Sequence, residues 1–241
     1  RGPTAFTPPP LIMITRTLLV GVLALGLAAC ASETDAPASE TGDVSVAGSF
    51  EDAPAVPAGT YTIDASHSRA EFRVKHLGIS TVTGRFDGVN GTVTVIDGLG
   101  SLATTATIDA STISTGNDQR DGHLQSPDFF DVAQYPEITF TSTGVRPGEG
   151  SAFTLLGDLT MHGVTRPVEL AAEYVGSSSM MGTPKVGFTA TGEITRQDFG
   201  LTWAETNEAG EALVGDTVTL MIEVEADGAA AEAPADTTVA E

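Results

Sequence analysis

The chain has little of what most catalytic and metal centres are built from. It holds one cysteine, Cys30, so no internal disulfide can staple it and no paired-thiol metal site exists. Its four histidines, His67, His76, His123 and His162, fall in separate segments with no HxH or HExxH spacing, so the pattern gives no support for a metal site. No GxSxG elbow marks a hydrolase nucleophile. Basic residues are scarce: 11 Lys and Arg stand against 32 Asp and Glu, a net charge of −21. An acidic surface of this kind repels nucleic acid and anionic headgroups, so neither is expected to bind it. The apolar run LLVGVLALGLAA, residues 18 to 29, has 12 residues, well short of the roughly 20 that a spanning helix needs.

That run has the length of a secretory h-region, with Arg16 as a minimal positive flank. It ends in LAAC, which resembles the lipobox of bacterial lipoproteins, where the Cys is lipidated and becomes the mature N-terminus. Cys30 is therefore the expected lipid attachment site, which also accounts for a lone cysteine in an exported chain. Residues 1 to 12 read as an upstream extension or cloning scar before Met13, the expected start. Residues 30 to 57 carry six acids and no basic residue and should form a disordered tether; 227 to 241 should be a disordered acidic tail. Ala31 and Ser32, with no Asp after the anchor, suggest the periplasmic face of an outer membrane. Membrane association is expected through Cys30 rather than through the domain surface.

Residues 58 to 226 are a single-domain length. Period-2 alternation dominates them. In SRAEFRVKHL, Ala70, Phe72, Val74 and His76 share one face, while Arg69, Glu71, Arg73 and Lys75 share the other. TVTLMIEVEA repeats the pattern with Val218, Leu220, Ile222 and Val224. Nine or ten such runs alternate with turn signals at Asp87-Gly88, Asn90-Gly91, Asp97-Gly98, Pro147-Gly148 and His162-Gly163. The immunoglobulin Cys…Trp…Cys spacing is absent. One-sided strands that need their edges protected favour an all-β, antiparallel, eight-stranded barrel. Only residues 117 to 131 break the alternation, predicting a short helical segment with a second turn opened by Ser126 and Pro127.

The candidate chemistry is modest. Asp64, His67 and Ser68 in DASHS sit too close in sequence for a catalytic relay; Asp64 and Ser66 read as a turn, with His67 and Ser68 starting the next strand. Arg120 with Asp121, and Arg196 with Asp198, read as rim ion pairs, with headgroup recognition as the sharper alternative. Phenylalanines at inward phase alternate with small residues such as Ala70, Gly84, Gly157 and Ala190. These could interdigitate into a solid core or leave a long apolar slot; composition does not choose.

Seven motifs stand in order along the domain: YxIDxxHS (Tyr61 to Ser68), FxVKH (Phe72 to His76), GxF (Gly84 to Phe86), RDxHLxSxDFFD (Arg120 to Asp131), YPxIxF (Tyr135 to Phe140), GDLTMHGVT (Gly157 to Thr165) and RxDFGL (Arg196 to Leu201). Together they resemble the YceI-like family. True lipocalins carry a Gly-x-Trp near the first strand; here the single Trp is Trp203, so a likeness to lipocalins would be architectural. The resemblance implies a lipocalin-like barrel with an apolar cavity for a polyisoprenoid tail, such as a quinone or polyprenyl phosphate. Phe72, Val74, His76, Phe86, Phe129, Phe130, Phe140 and Phe188 would line it, with Arg120 and His123 at the mouth. It implies no cofactor and no catalytic residue. Oligomeric state stays open, a homodimer being one option. A solid-core lipoprotein, or an enzyme using His123 and Asp121 on a headgroup, remain alternatives. If the slot exists, Ala190→Phe or Gly157→Leu should block binding while the fold survives.

Overall fold

The computed structural model describes residues 49–229. Cys30, the leader, the tether as far as residue 48 and the tail from residue 230 lie outside the described residues. Ten strands are present: β1 (Gly59–Ile63), β2 (Arg69–His76), β3 (Ser80–Phe86), β4 (Asn90–Val95), β5 (Ala103–Asp109), β6 (Glu137–Pro147), β7 (Ala152–Met161), β8 (Val164–Met180), β9 (Thr183–Thr195) and β10 (Val214–Gly228). One α-helix, α1 (Asp118–Leu124), lies between β5 and β6.

All pairings are antiparallel, and the sheet closes because β1 pairs with both β4 and β10. Ten strands make eight staves, since the first two staves are each broken once. β1 and β2 run along β10 with a break at Asp64–Ser68, and β3 and β4 form the next stave with a break at Asp87–Val89. The eight-stranded barrel expected from sequence is thus what forms. Closure pairs both edges of every strand but β3, whose outer edge is bridged at Arg85 to Ser114.

The breaks have local causes. At the first, the Asp64 carboxylate accepts hydrogen bonds from the Ser66 amide and hydroxyl, folding the chain into the turn read from DASHS. At the second, Gly88 takes a left-handed φ of 72°. Asn90-Gly91, by contrast, is not a turn. Both residues pair inside β4 with Thr107 and Ala106, and Gly91 is there because β5 passes so close that a Cβ would strike the Thr105 carbonyl.

The two ends of the barrel are built differently. One collects the β2–β3 tip, the segment from Ala110 to Pro136 with α1, the β7–β8 turn and the long β9–β10 connection; we call it the helix end. The other collects the β4–β5, β6–β7 and β8–β9 turns and is crossed by residues 49–57; we call it the strap end. Each end has its own buried cluster. Phe86, Ile113, Phe129, Phe130, Phe199 and Leu201 belong to the helix end, and Val56, Tyr61, Val95, Leu99 and Val186 to the strap end.

Residues 49–57 correct the tether boundary. They were expected to be part of a disordered tether, yet Val56 is buried, Phe50 lies against Gly100, and Pro57 accepts a hydrogen bond from the Tyr61 hydroxyl. Two apolar side chains in an otherwise acidic linker are the physical reason. The helix prediction fares better. Asn117 caps α1 by accepting from the Arg120 amide, as the Asn-Asp signal suggested. The Ser126-Pro127 stretch forms hydrogen-bonded turns rather than a second helix.

Candidate functional site

Between the two clusters the barrel is hollow. A cavity of about 170 Å³ runs along the interior. Its wall is apolar apart from Glu71, Thr104, Thr139 and Thr189. An apolar void of this kind does not suit water, which needs two to four polar partners, and suits an apolar guest.

The reason it is hollow lies in glycines. Phe72 pairs across the sheet with Gly84, and a Cβ on Gly84 would overlap the Phe72 ring. A Cβ on Gly157 would likewise overlap the Phe140 ring, and one on Gly192 would press on Leu170 at 2.6 Å. The Phe72 and Phe140 rings therefore occupy the space that a side chain at Gly84 or Gly157 would fill. This resolves what composition left open: small residues opposite aromatics here make a slot. It also separates the two substitutions expected to block it. Ala190 lines the cavity and can be enlarged into it, whereas Gly157 is already covered by Phe140 and sits 2.7 Å, at the Cβ position, from the Thr141 carbonyl.

Of the expected lining residues, the structure brings Phe72, Phe86, Phe140 and Phe188 to the cavity wall. It does not bring Val74, His76, Phe129 or Phe130. Val74 and His76 are inward-phased but sit on the part of β2 that runs on toward the β2–β3 tip, beyond the cavity. Phe129 and Phe130 are buried in the helix-end cluster, where Phe130 meets Phe86 edge-on at 5.5 Å and Phe129 packs on Trp203 at 5.2 Å. They seal the cavity rather than line it. Reasoning by residue type missed Leu155, Leu170, Leu220, Ile222 and Val224 as lining residues, which reach the cavity through plain inward alternation; Ala190, expected at inward phase, is there.

Arg120 and His123 are not at an open mouth either. Arg120 donates through Nε to the Thr115 hydroxyl at 2.7 Å and through a terminal nitrogen to the Thr115 carbonyl at 3.1 Å. Asp121 accepts from the Thr115 amide at 2.9 Å and from its hydroxyl. The pair clamps α1 onto the residue whose methyl faces Gly84. His123 bonds Asp128 at 2.9 Å and stands edge-on to Phe129 and Trp203, so the suggested His123–Asp121 couple does not form. Arg196 is buried and donates to the carbonyls of Gly215, Leu201 and Trp203. Its carboxylate partner is Asp216 at 3.0 Å, not Asp198. Tyr135 meets His162 edge-on at 4.7 Å and covers Gly163. The motifs that look most like chemistry are thus the bolts of the helix end.

One titratable cluster lies on the outer wall. His67 Nδ1 is 2.7 Å from Asp64, and Lys185 bonds Glu225 at 2.8 Å and Asp227 at 2.5 Å. Bonds from Ser66 and His67 hold the Asp64 carboxyl below its usual range, and the bond to Asp64 raises His67. Asp227 and Glu225 raise Lys185. Asp64, His67 and Glu225 converge closely enough to share an ion, but Lys185 already supplies the positive charge there. The cluster clasps the broken first stave to β9 and β10.

A YceI-like domain model matches residues 61–226. The chain belongs to the YceI-like family. Protein YceI of Escherichia coli is 39% identical over 149 residues, covering 60% of this chain and 77% of that protein. A crystal structure of the Campylobacter jejuni YCEI protein superposes with a TM-score of 0.54 at 32% identity, covering 64% of this chain and 90% of that one. A domain from Saccharophagus degradans, described as polyisoprenoid-binding and implicated in plant cell wall breakdown, superposes with a TM-score of 0.51 at 20% identity, covering 70% of this chain and 98% of that one. At that identity the likeness is one of fold. In this YceI-like chain, the interior slot is the feature of the fold with room for a guest.

Proposed function

We propose that the protein is a binding protein that holds the tail of a long-chain isoprenoid lipid, of quinone or polyprenyl phosphate type, inside the barrel. The observation that carries this reading is the glycine-backed apolar slot between two sealed clusters. The Saccharophagus domain of the same fold, described as polyisoprenoid-binding, supports it. At about 0.8 kcal/mol per buried methylene, a five-carbon unit contributes roughly 3–4 kcal/mol, so a few units hold the tail without a charged contact. Tethering through lipidated Cys30, on the periplasmic face of an outer membrane, completes the reading. One lipid chain anchors only marginally, so two or more are expected on that cysteine.

The test is chemical. The processed chain is purified from a bacterium that makes its own isoprenoids, extracted with organic solvent, and the extract is analysed by mass spectrometry alongside the N-terminal peptide. A ladder spaced by isoprene units supports the carrier, and an acylated Cys30 supports the tether. An extract free of prenyl lipid, unchanged after incubation with quinone and polyprenyl phosphate, removes the carrier reading and advances the ligand-free lipoprotein.

A further inference from the structure

Among the described residues, five large apolar side chains are strongly exposed, and four of them belong to the strap-end half of the barrel. Met181 is 96% exposed and Met180 62% at the β8–β9 tip, Val175 is 66% exposed lower on the same hairpin, and Ile96 is 75% exposed in the β4–β5 turn. Only Ile79, at 86%, is at the helix end. In the strand order, β4–β5 and β8–β9 lie half-way round the barrel from each other. The methionine tip and Ile96 therefore stand on opposite sides of one rim.

The tip does not owe its methionine to turn chemistry. Met180 pairs with Thr183, so Met181 and Gly182 form the loop, with φ of 54° and 84°. That is the left-handed pair for which Asn-Gly is the relaxed choice. A flexible apolar side chain held in a strained conformation and in water has a use outside the turn. The charge pattern agrees. In a chain with 32 acids, no acidic residue occurs from Tyr174 to Gly192, so this hairpin lacks the repulsion expected of most of the domain; the β2–β3 hairpin, residues 72–86, shares that property. The chain also arrives at this rim. Phe50 and Val56 pack at the strap end, so the segment leading back to Cys30 departs from there.

We infer that the strap-end rim, through Met180 and Met181 with Ile96 opposite, docks on a lipid bilayer surface. The inference rests on the tethered reading for the source of the membrane. It adds an orientation: the strap, not the helix end, faces the lipid from which an isoprenoid tail enters.

The test labels the full processed chain with an environment-sensitive fluorophore at Met181→Cys, at Ile96→Cys, or at Ile79→Cys. Each is mixed with vesicles of phosphatidylethanolamine and phosphatidylglycerol carrying a doxyl-quencher lipid, and Cys30 acylation is read by mass spectrometry on the same samples. Quenching at Met181→Cys, weaker quenching at Ile96→Cys and none at Ile79→Cys is expected. A Met180→Ser/Met181→Asn chain, whose turn should be more relaxed than the original, should bind vesicles about five-fold more weakly once acylation is matched. Acylated protein that stays on vesicles with no quenching at Met181→Cys overturns the docking while leaving the tether intact. Quenching at Met181→Cys in a Cys30→Ser chain, which carries no lipid and no second thiol, sustains the docking without the tether. Quenching only at Ile79→Cys overturns the orientation. A Met181→Cys probe already shielded before vesicles are added, in proportion to protein concentration, marks a contact between copies and likewise overturns it.

Discussion

The helix end is bolted by polar groups, whereas the strap end is closed by grease. At the helix end Arg196 ties three carbonyls and Asp216, Arg120 and Asp121 grip Thr115, and Tyr135 covers Gly163. Across the strap end, residues 49–57 are held by Phe50, Val56 and one hydrogen bond from Tyr61. Directional bonds between buried groups open only at high cost, while a short apolar strap can lift and reseat. The difference predicts that the strap end opens at lower cost than the helix end.

The largest effect should come from removing a bolt. Arg196→Met strands buried carbonyls and frees Asp216, and should cost about 3–5 kcal/mol in chemical denaturation. A loss under about 1 kcal/mol would mean the helix end is not held this way. Next comes the wall between the ends. Gly157→Ala forces Phe140 off its seat and should cost about 1–3 kcal/mol. Ala190→Phe instead enters empty space, so lipid retention should collapse with the melting temperature nearly kept. If both behave alike, the slot is not built on glycine.

Much of this was legible, though unevenly. Alternation in SRAEFRVKHL and TVTLMIEVEA gave the strands, and edge protection gave the barrel, because side-chain period and closure are local and general constraints. The cavity was harder, since Leu220 and Ile222 look like any core residues and only the three-dimensional seat of Phe72 on Gly84 keeps the middle open. The Arg120 and His123 stretch misled for the opposite reason. A cluster of varied polar residues reads as a site, but closing a barrel end also needs caps, clamps and ring stacks. Which carboxylate Arg196 would choose, Asp216 over Asp198, depended on a loop path that spacing does not encode.

Smaller effects probe the strap. Val56→Ser should weaken folding by about 1–2 kcal/mol yet speed lipid exchange roughly ten-fold, while loosening the helix end should change exchange little. Equal acceleration from both ends would abolish the distinction. The smallest effect concerns the clasp at Asp64 and His67. His67 is raised, so its contribution is complete below its unfolded value near 6.5 and fades as pH climbs through the raised folded value. Asp64 is depressed, so its contribution is complete above 3.8 and fades as pH drops through the lowered value. The clasp is therefore firmest between those limits. In Asp64→Asn, the His67 titration followed by NMR should slide down toward 6.5; an unmoved curve would assign the shift elsewhere.

The most direct measurement is native mass spectrometry of the processed chain beside its Ala190→Phe variant, both from the same isoprenoid-producing cells and free of detergent. The account expects a prenyl-lipid adduct on the first and a bare mass on the second, with both folded. Adducts of equal abundance on the two proteins, or bare masses on both after quinone and polyprenyl phosphate are supplied, would contradict a ligand held in the barrel.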